Sequence, residues 1–206
     1  VYHSKFNELE GVGEIAGFAV LPVKTAVRGP AVQLPKDDGT RSLLASIRVC
    51  VFMAVFRCVA EETKSGDSDD IIDEAILYFR ANVLFKSFEI KGGADRMLAY
   101  LTLFIQLCLK KIERVKSKAE GVSEGSPVLC GLELTAPQAS SFCKKLAAAR
   151  ASPSPATPES LRALMRQYRQ ETALRLEDRL FFHEGSPNKF WLQFSKKKFM
   201  GKQITA

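Results

Sequence analysis

An all-α fold is what this sequence predicts: a compact helical bundle with one central helix surrounded by others, behind an irregular N-terminal leader. Three observations lead there. Two long stretches carry apolar residues at three-four spacing, a third opens with a strong helix start, and nothing reads as a regular multi-strand sheet. Of the 206 residues 46% are hydrophobic and 26% charged, enough apolar material to bury one core within a single domain over 1–206.

The leader covers residues 1–30. Gly11, Gly13 and Gly17 loosen it, and the alternation in "GFAVLPVKTAV" predicts a short extended segment closed by "RGP". The string Gly11-x-Gly13-x-x-Ala16 matches a dinucleotide-binding fingerprint in letters only. That motif needs a buried strand before it and a helix after it, whereas polar "KFNELE" precedes this one and Pro22 follows, so a plain loop is favoured.

The first helix is expected over 68–88, capped by Ser68 or Asp69, with Asp69, Asp70, Asp73 and Glu74 placed where the helix dipole favours negative charge. Ile72, Ala75, Ile76, Phe79 and Val83 form one apolar face. Ile71, Leu77, Tyr78, Leu84, Phe85 and Phe88 add apolar cover elsewhere, which points to a helix enclosed by others. "EIKGG" breaks the chain, with Gly92-Gly93 as the turn, and a second helix is expected from about Ala94 to Lys118. It buries Met97, Leu101, Phe104, Cys108, Ile112 and Val115. Its apolar run from Met97 to Leu109 is shorter than the ~20 residues a membrane span needs. Residues 119–157 read as a Ser/Pro/Ala-rich loop with a short helix after Thr135-Ala136-Pro137. Thr157, Pro158 and Glu159 then start a third helix over about 158–182, burying Leu161, Met165, Tyr168, Thr172, Leu176 and Leu180. A short helix is expected from Phe190 to Met200, with Trp191, Phe194 and Lys198 on one face.

One apolar stretch, "RSLLASIRVCVFMAVFRCVA" at 41–60, contains Arg48 and Arg57. Each arginine near the centre of a span would cost about 2.5–3.5 kcal/mol, so a packing helix or an inserted segment is favoured over stable membrane insertion.

Charge is polarised. The net is +7, yet Glu61 to Glu74 is strongly acidic, while beyond Glu184 there are five lysines and no acid. The tail "KFWLQFSKKKFMGK" sets aromatics among those lysines, with the aromatics placed to anchor it and the lysines outward. It could meet an acidic protein, anionic lipid or nucleic acid; a solvated charged face is the commonest fate of such a run. Catalysis finds little footing. His3 and His183 lie far apart in sequence, and no zinc spacing, Walker-type loop or paired apolar carboxylates appear, so no enzyme, metal or cofactor is expected. Nothing singles out a Cys143–His183 dyad. The cysteines at 50, 58, 108, 130 and 143 form no disulfide framework and fit a reducing compartment, with Cys108 a core thiol. The start at Val1 is too polar for a secretory signal.

Five blocks, in order, carry a resemblance: "YHSKF", "GFAVLPVKTAVRGPA" at 17–31, "DDIIDEAILYFRANVLFKSFEIKGGADRMLAYLTLFIQLCLKK" at 69–111, "LRALMRQYRQETALRLEDRLF" at 161–181 and "PNKFWLQFSKKKFMGK" at 187–202. Together they resemble subunit 3 of the actin-related protein 2/3 complex, the 21 kDa subunit family. The resemblance implies an all-helical, non-catalytic subunit of a hetero-heptameric cytoplasmic complex that nucleates branched actin filaments. It implies contact with the actin-related protein 3 subunit and a place near the mother actin filament; ATP binds the actin-related subunits. It implies no nucleic acid partner. The family joins "GPA" to "DEAI" by a shorter link, so about 33–66 reads as an insertion, either a lineage-specific loop or a translated intron. The family's "GFPLN"-like element is absent from 119–157. On this reading the interface residues are Lys189, Trp191, Lys196, Lys197, Lys198, Phe199 and Lys202, and the rival is a basic helical module for nucleic acid or anionic membrane.

Overall fold

The computed structural model describes residues 1–9, 12–34, 70–113, 122–123, 126–127, 158–181 and 188–201. Three helices organise them: α1 (Ile71–Asn82), α2 (Gly93–Ile112) and α3 (Pro158–Leu180), with a single turn, α4 (Lys189–Leu192), in the tail. The expectation of an all-α fold is corrected in one respect. Short ladders accompany the helices: β1 (Glu14–Ile15) pairs antiparallel with β2 (Phe18–Ala19), β3 (Val23–Lys24) pairs in parallel with β4 (Gln33–Leu34), and β5 (Val122–Ser123) pairs antiparallel with β6 (Ser126–Pro127). Each strand is two residues long, too short to be seen as a period-2 pattern in a sequence.

The centre of the molecule is α2, not the helix at 68–88. Every residue from Gly93 to Leu109 is buried, including Asp95, Arg96, Thr102 and Gln106. Its run of large apolar groups has no polar side to turn to water, so α1, α3, the leader and the tail cover it all round. By contrast α1 and the turn that follows it bury the predicted stripe of Ile72, Ala75, Ile76, Phe79 and Val83 but leave Leu77 56% exposed and Leu84 57% exposed. In α3, Met165, Tyr168, Thr172, Leu176 and Leu180 are buried as the spacing requires, and Leu161 is partly so.

Helix α1 starts later and ends earlier than expected. Its cap is Asp70, whose carboxylate accepts from the amides of Ile72 and Asp73; Ser68 and Asp69 lie outside the described residues. The same carboxylate accepts from the Lys24 amide (3.0 Å) and takes both arms of the Arg175 guanidinium at 2.8 and 2.7 Å. Arg175 also reaches Asp73, Glu171 and the carbonyl of Lys24. Burial alone would lower the Arg175 pKa, but the hydrogen bonds and charges of Asp70, Glu171 and Asp73 outweigh it and raise it.

The leader is irregular but not loose. Tyr2 exchanges two hydrogen bonds with the Asn82 side chain. Glu74 accepts from the Ser4 hydroxyl (2.6 Å) and the Lys5 amide (2.9 Å). Asp95 accepts from the Ser4 amide and lies 2.8 Å from His3 Nδ1. Gly11, the first letter of the nucleotide-like string, lies outside the described residues, and the string's end at Ala16 enters a hairpin turn. Ala16 (φ 52°) and Gly17 (φ 78°) both sit at positive φ between β1 and β2, as a tight primed turn demands. Further on, the phenol of Tyr168 donates to the Leu21 carbonyl (2.7 Å) and accepts from the Leu21 amide (3.0 Å), and burial pushes its pKa up. Gln167 clasps the turn before β4, accepting from the Ala31 amide and donating to the carbonyls of Val27 and Ala31. The glycines at the start of α2 are explained by this crossing leader. A Cβ on Gly92 would stand 2.6 Å from the Asn7 side chain, and one on Gly93 would stand 3.0 Å from the Ala19 amide nitrogen.

The segment 41–60 and the short helix after Thr135 lie outside the described residues, as do Cys50, Cys58, Cys130, Cys143 and His183. So do the region read as an insertion, except its first residues Gln33–Leu34, and nearly all of the 119–157 loop. Cys108 is buried in the core. Among the described residues no helix is long and apolar enough to cross a membrane, and no group of three or more metal-ligating side chains occurs.

Candidate protein-interaction surface

The tail from Asn188 to Gly201 is built from outside in. Asn188 caps α4 with its side-chain oxygen, accepting from the Phe190 amide at 2.9 Å, and its own amide bonds the Leu180 carbonyl at the end of α3. One turn later α4 stops at Leu192, so the expected continuous helix from Phe190 to Met200 is broken. A run of turns follows, then a 3-10 turn over Phe199–Gly201 with Met200 at φ 53°. Helical spacing therefore does not carry as far as Lys198, which shares no helix face with Trp191.

Two aromatics anchor this piece. Trp191, 9% exposed, stacks on Phe79 of α1 with centroids 5.9 Å apart and planes 8° apart. Fully buried Phe199 meets the edge of Phe88 at 5.5 Å, and Phe194 meets Phe79 edge-on at 6.2 Å. Between these anchors the backbone is pinned. Gln106 of α2 donates to the Lys197 carbonyl (2.7 Å), Ser195 donates to Glu113 (3.0 Å), and the Met200 amide bonds the Phe85 carbonyl.

Lys189, Lys196, Lys197 and Lys198 are all exposed on this fixed backbone. Lys196 has a distant carboxylate, Glu113 at 3.8 Å, but both side chains are so open to water that the pair holds neither in place. The sequence expectation thus separates into two roles. The lysines present charge, whereas Trp191 and Phe199 face inward and hold the edge from below. Phe190, expected to help hold that edge, is 56% exposed and makes surface of its own. Lys202 lies outside the described residues.

Sequence reasoning passed over the buried polar groups that fix these surfaces. Asp73 and Glu74 were read as dipole charges, yet Glu74 is turned inward to the leader. Burial raises the pKa of both: for Asp73 the Asp70 charge adds to the rise against Arg175, and for Glu74 the Ser4 and Lys5 bonds oppose it. The available signal was position. Glu74 falls between Ile71 and Ala75, and Asp95-Arg96 directly precede the apolar run that starts at Met97.

With that geometry in view, similarity to known proteins is informative. The profile of the family described as "P21-Arc: ARP2/3 complex ARPC3 (21 kDa) subunit" matches residues 1–204. The chain is 36% identical over 210 aligned residues to "Actin-related protein 2/3 complex subunit 3" of Arabidopsis thaliana, covering 97% of each. It is 36% identical over 205 to the protein of that name in Schizosaccharomyces pombe, with 98% of each covered. The Dictyostelium discoideum protein of the same name is 34% identical over 208, with 99% of each covered.

Proposed function

Because the chain belongs to the ARP2/3 complex ARPC3 (21 kDa) subunit family, we propose that it serves as a non-catalytic structural subunit of the actin-related protein 2/3 complex. There it packs against the actin-related protein 3 subunit, stands beside the mother filament, and supports nucleation of a branch in the cytoplasmic actin cytoskeleton. The observation that carries the reading at residue level is the tail: exposed Lys196, Lys197 and Lys198 on a backbone locked by Gln106, Trp191 and Phe199. A fixed cationic edge steers and orients docking to an acidic actin-type surface, and neither side chain nor loop must be ordered on contact beyond the lysines themselves. The reading assigns no cofactor to this chain. It keeps residues 33–66 as an insertion, and sequencing of the mature transcript decides between its two versions: a message that contains the segment rules out a translated intron.

The test is charge reversal, Lys196→Glu, Lys197→Glu and Lys198→Glu together, in the assembled complex. Branch density in a filament assay is expected to fall on the order of tenfold at low salt, with the gap closing as salt screens the charges. Unchanged helix content should accompany it. Normal branching by this variant would overturn the assignment of the lysine edge.

A further inference from the structure

A second surface adjoins the aromatic anchor Trp191. Leu77 and Leu84 are seven residues apart on α1 and the turn that continues it, both more than half exposed, and Arg80 lies between them on the same stripe. The Arg80 guanidinium sits 5.7 Å from the Phe190 ring centroid and 5.8 Å from that of Trp191. It thereby ties the exposed stripe of α1 to exposed Phe190, so that three apolar side chains stand open to water around one arginine where polar residues would ordinarily face out. That face is preformed, since Asn188 caps the turn bearing Phe190 and the Trp191–Phe79 stack fixes the tail against α1.

We infer that Leu77, Arg80, Leu84 and Phe190 form a permanent docking surface for a neighbouring subunit of the same complex, one presenting an apolar patch rimmed by carboxylates. The inference rests on the proposed function. Charge selects the occupant. The exposed charged residues of 77–90 and 188–190 are Arg80, Lys86 and Lys189 against Glu89, so the rim is cationic and a second copy of this chain would meet its own like charges. Apolar character selects the kind of contact. Interfaces that stay closed for the life of an assembly are rich in buried hydrophobic groups, while transient ones are polar and salt-sensitive like the lysine edge.

The test replaces all three apolar groups, Leu77→Gln, Leu84→Gln and Phe190→Gln, in the tagged full-length chain expressed with the remaining subunits. Recovery of the other subunits with the tag is expected to drop roughly tenfold or more, to the same extent at low and high salt. The melting temperature of the purified variant chain should stay at the parental value, because the three side chains are exposed. Parental recovery of the other subunits would overturn the inference. So would a lowered melting temperature, which would assign the face to a segment of this chain, or a parental dimer abolished by the variant, which would assign it to a second copy. The two readings fail separately. If the parental chain never co-purifies with actin-related subunits the proposed function falls, whereas a lysine-edge variant that assembles normally and branches poorly leaves this surface untouched.

Discussion

The surroundings of α2 and the leader are held to the fold by different physics. Around α2 the contacts are side chain to side chain and apolar, from Met97, Leu98, Leu101, Phe104 and Cys108 to the stripes of α1 and α3. Along the leader Phe6, Phe18, Leu21 and Val23 join the same core, and a dense set of polar side chain to backbone bonds is added. Asn82, Glu74, Asp95, Tyr168, Gln167 and Asp70 each reach out from a helix or its cap to main-chain groups of residues 2–31. The difference teaches that an irregular segment can be as firmly placed as a helix. Its unpaired amides and carbonyls must find partners when covered, and the helices supply them.

Three substitutions sharpen this contrast. The largest effect belongs to the apolar centre. Phe104→Ala should destabilise the full chain by about 3–5 kcal/mol in urea unfolding, since a buried ring leaves a cavity that packed neighbours cannot close. A loss below about 1 kcal/mol would mean that α2 is not tightly enclosed.

Next comes the leader. Tyr168→Phe keeps the ring and removes only the hydroxyl, stranding the amide and carbonyl of Leu21, and should cost about 1–3 kcal/mol. Native-state hydrogen exchange should show faster exchange at Leu21 and Val23 with little change at Phe104. Uniform acceleration across the chain would instead make leader and bundle one cooperative unit.

The smallest effect is a pH dependence. Burial raises the Glu74 pKa above the ordinary carboxylate range, so the folded state holds this proton where the unfolded chain has released it. Its favourable contribution is complete below the unfolded pKa and is lost as pH rises through the higher folded value. Glu74→Gln, which never ionises, removes that slope. The stability of the parent relative to the variant should therefore decline from acidic pH towards neutrality, read from urea midpoints at matched salt. A relative stability that rises with pH would contradict the burial of this carboxylate.

How much could be read beforehand follows the same division. The buried stripes of the three helices were legible within the described residues, which leave out Val115 and the expected end at Lys118, because three-four spacing needs no partner to be seen, and the start at Pro158 was legible from its local chemistry. Which helix lies at the centre was misjudged. Both α1 and α2 are apolar nearly all round, and only packing shows that Leu77 and Leu84 stay outside while Asp95 and Gln106 go in. The tail lysines were legible as charge. Their fixed display was not, because it depends on Gln106, nearly a hundred residues earlier in the chain, bonding the Lys197 carbonyl.

The sequence by itself determined the helices, their inward faces, the cationic tail and the family likeness, all of which rest on residue type at short spacing. Tertiary structure alone decided the central place of α2, the polar stitching of the leader and the pairing of Phe190 with Arg80. Those outcomes depend on groups far apart in the chain meeting where water is excluded, and there an unmet hydrogen bond or charge costs far more than any local preference returns.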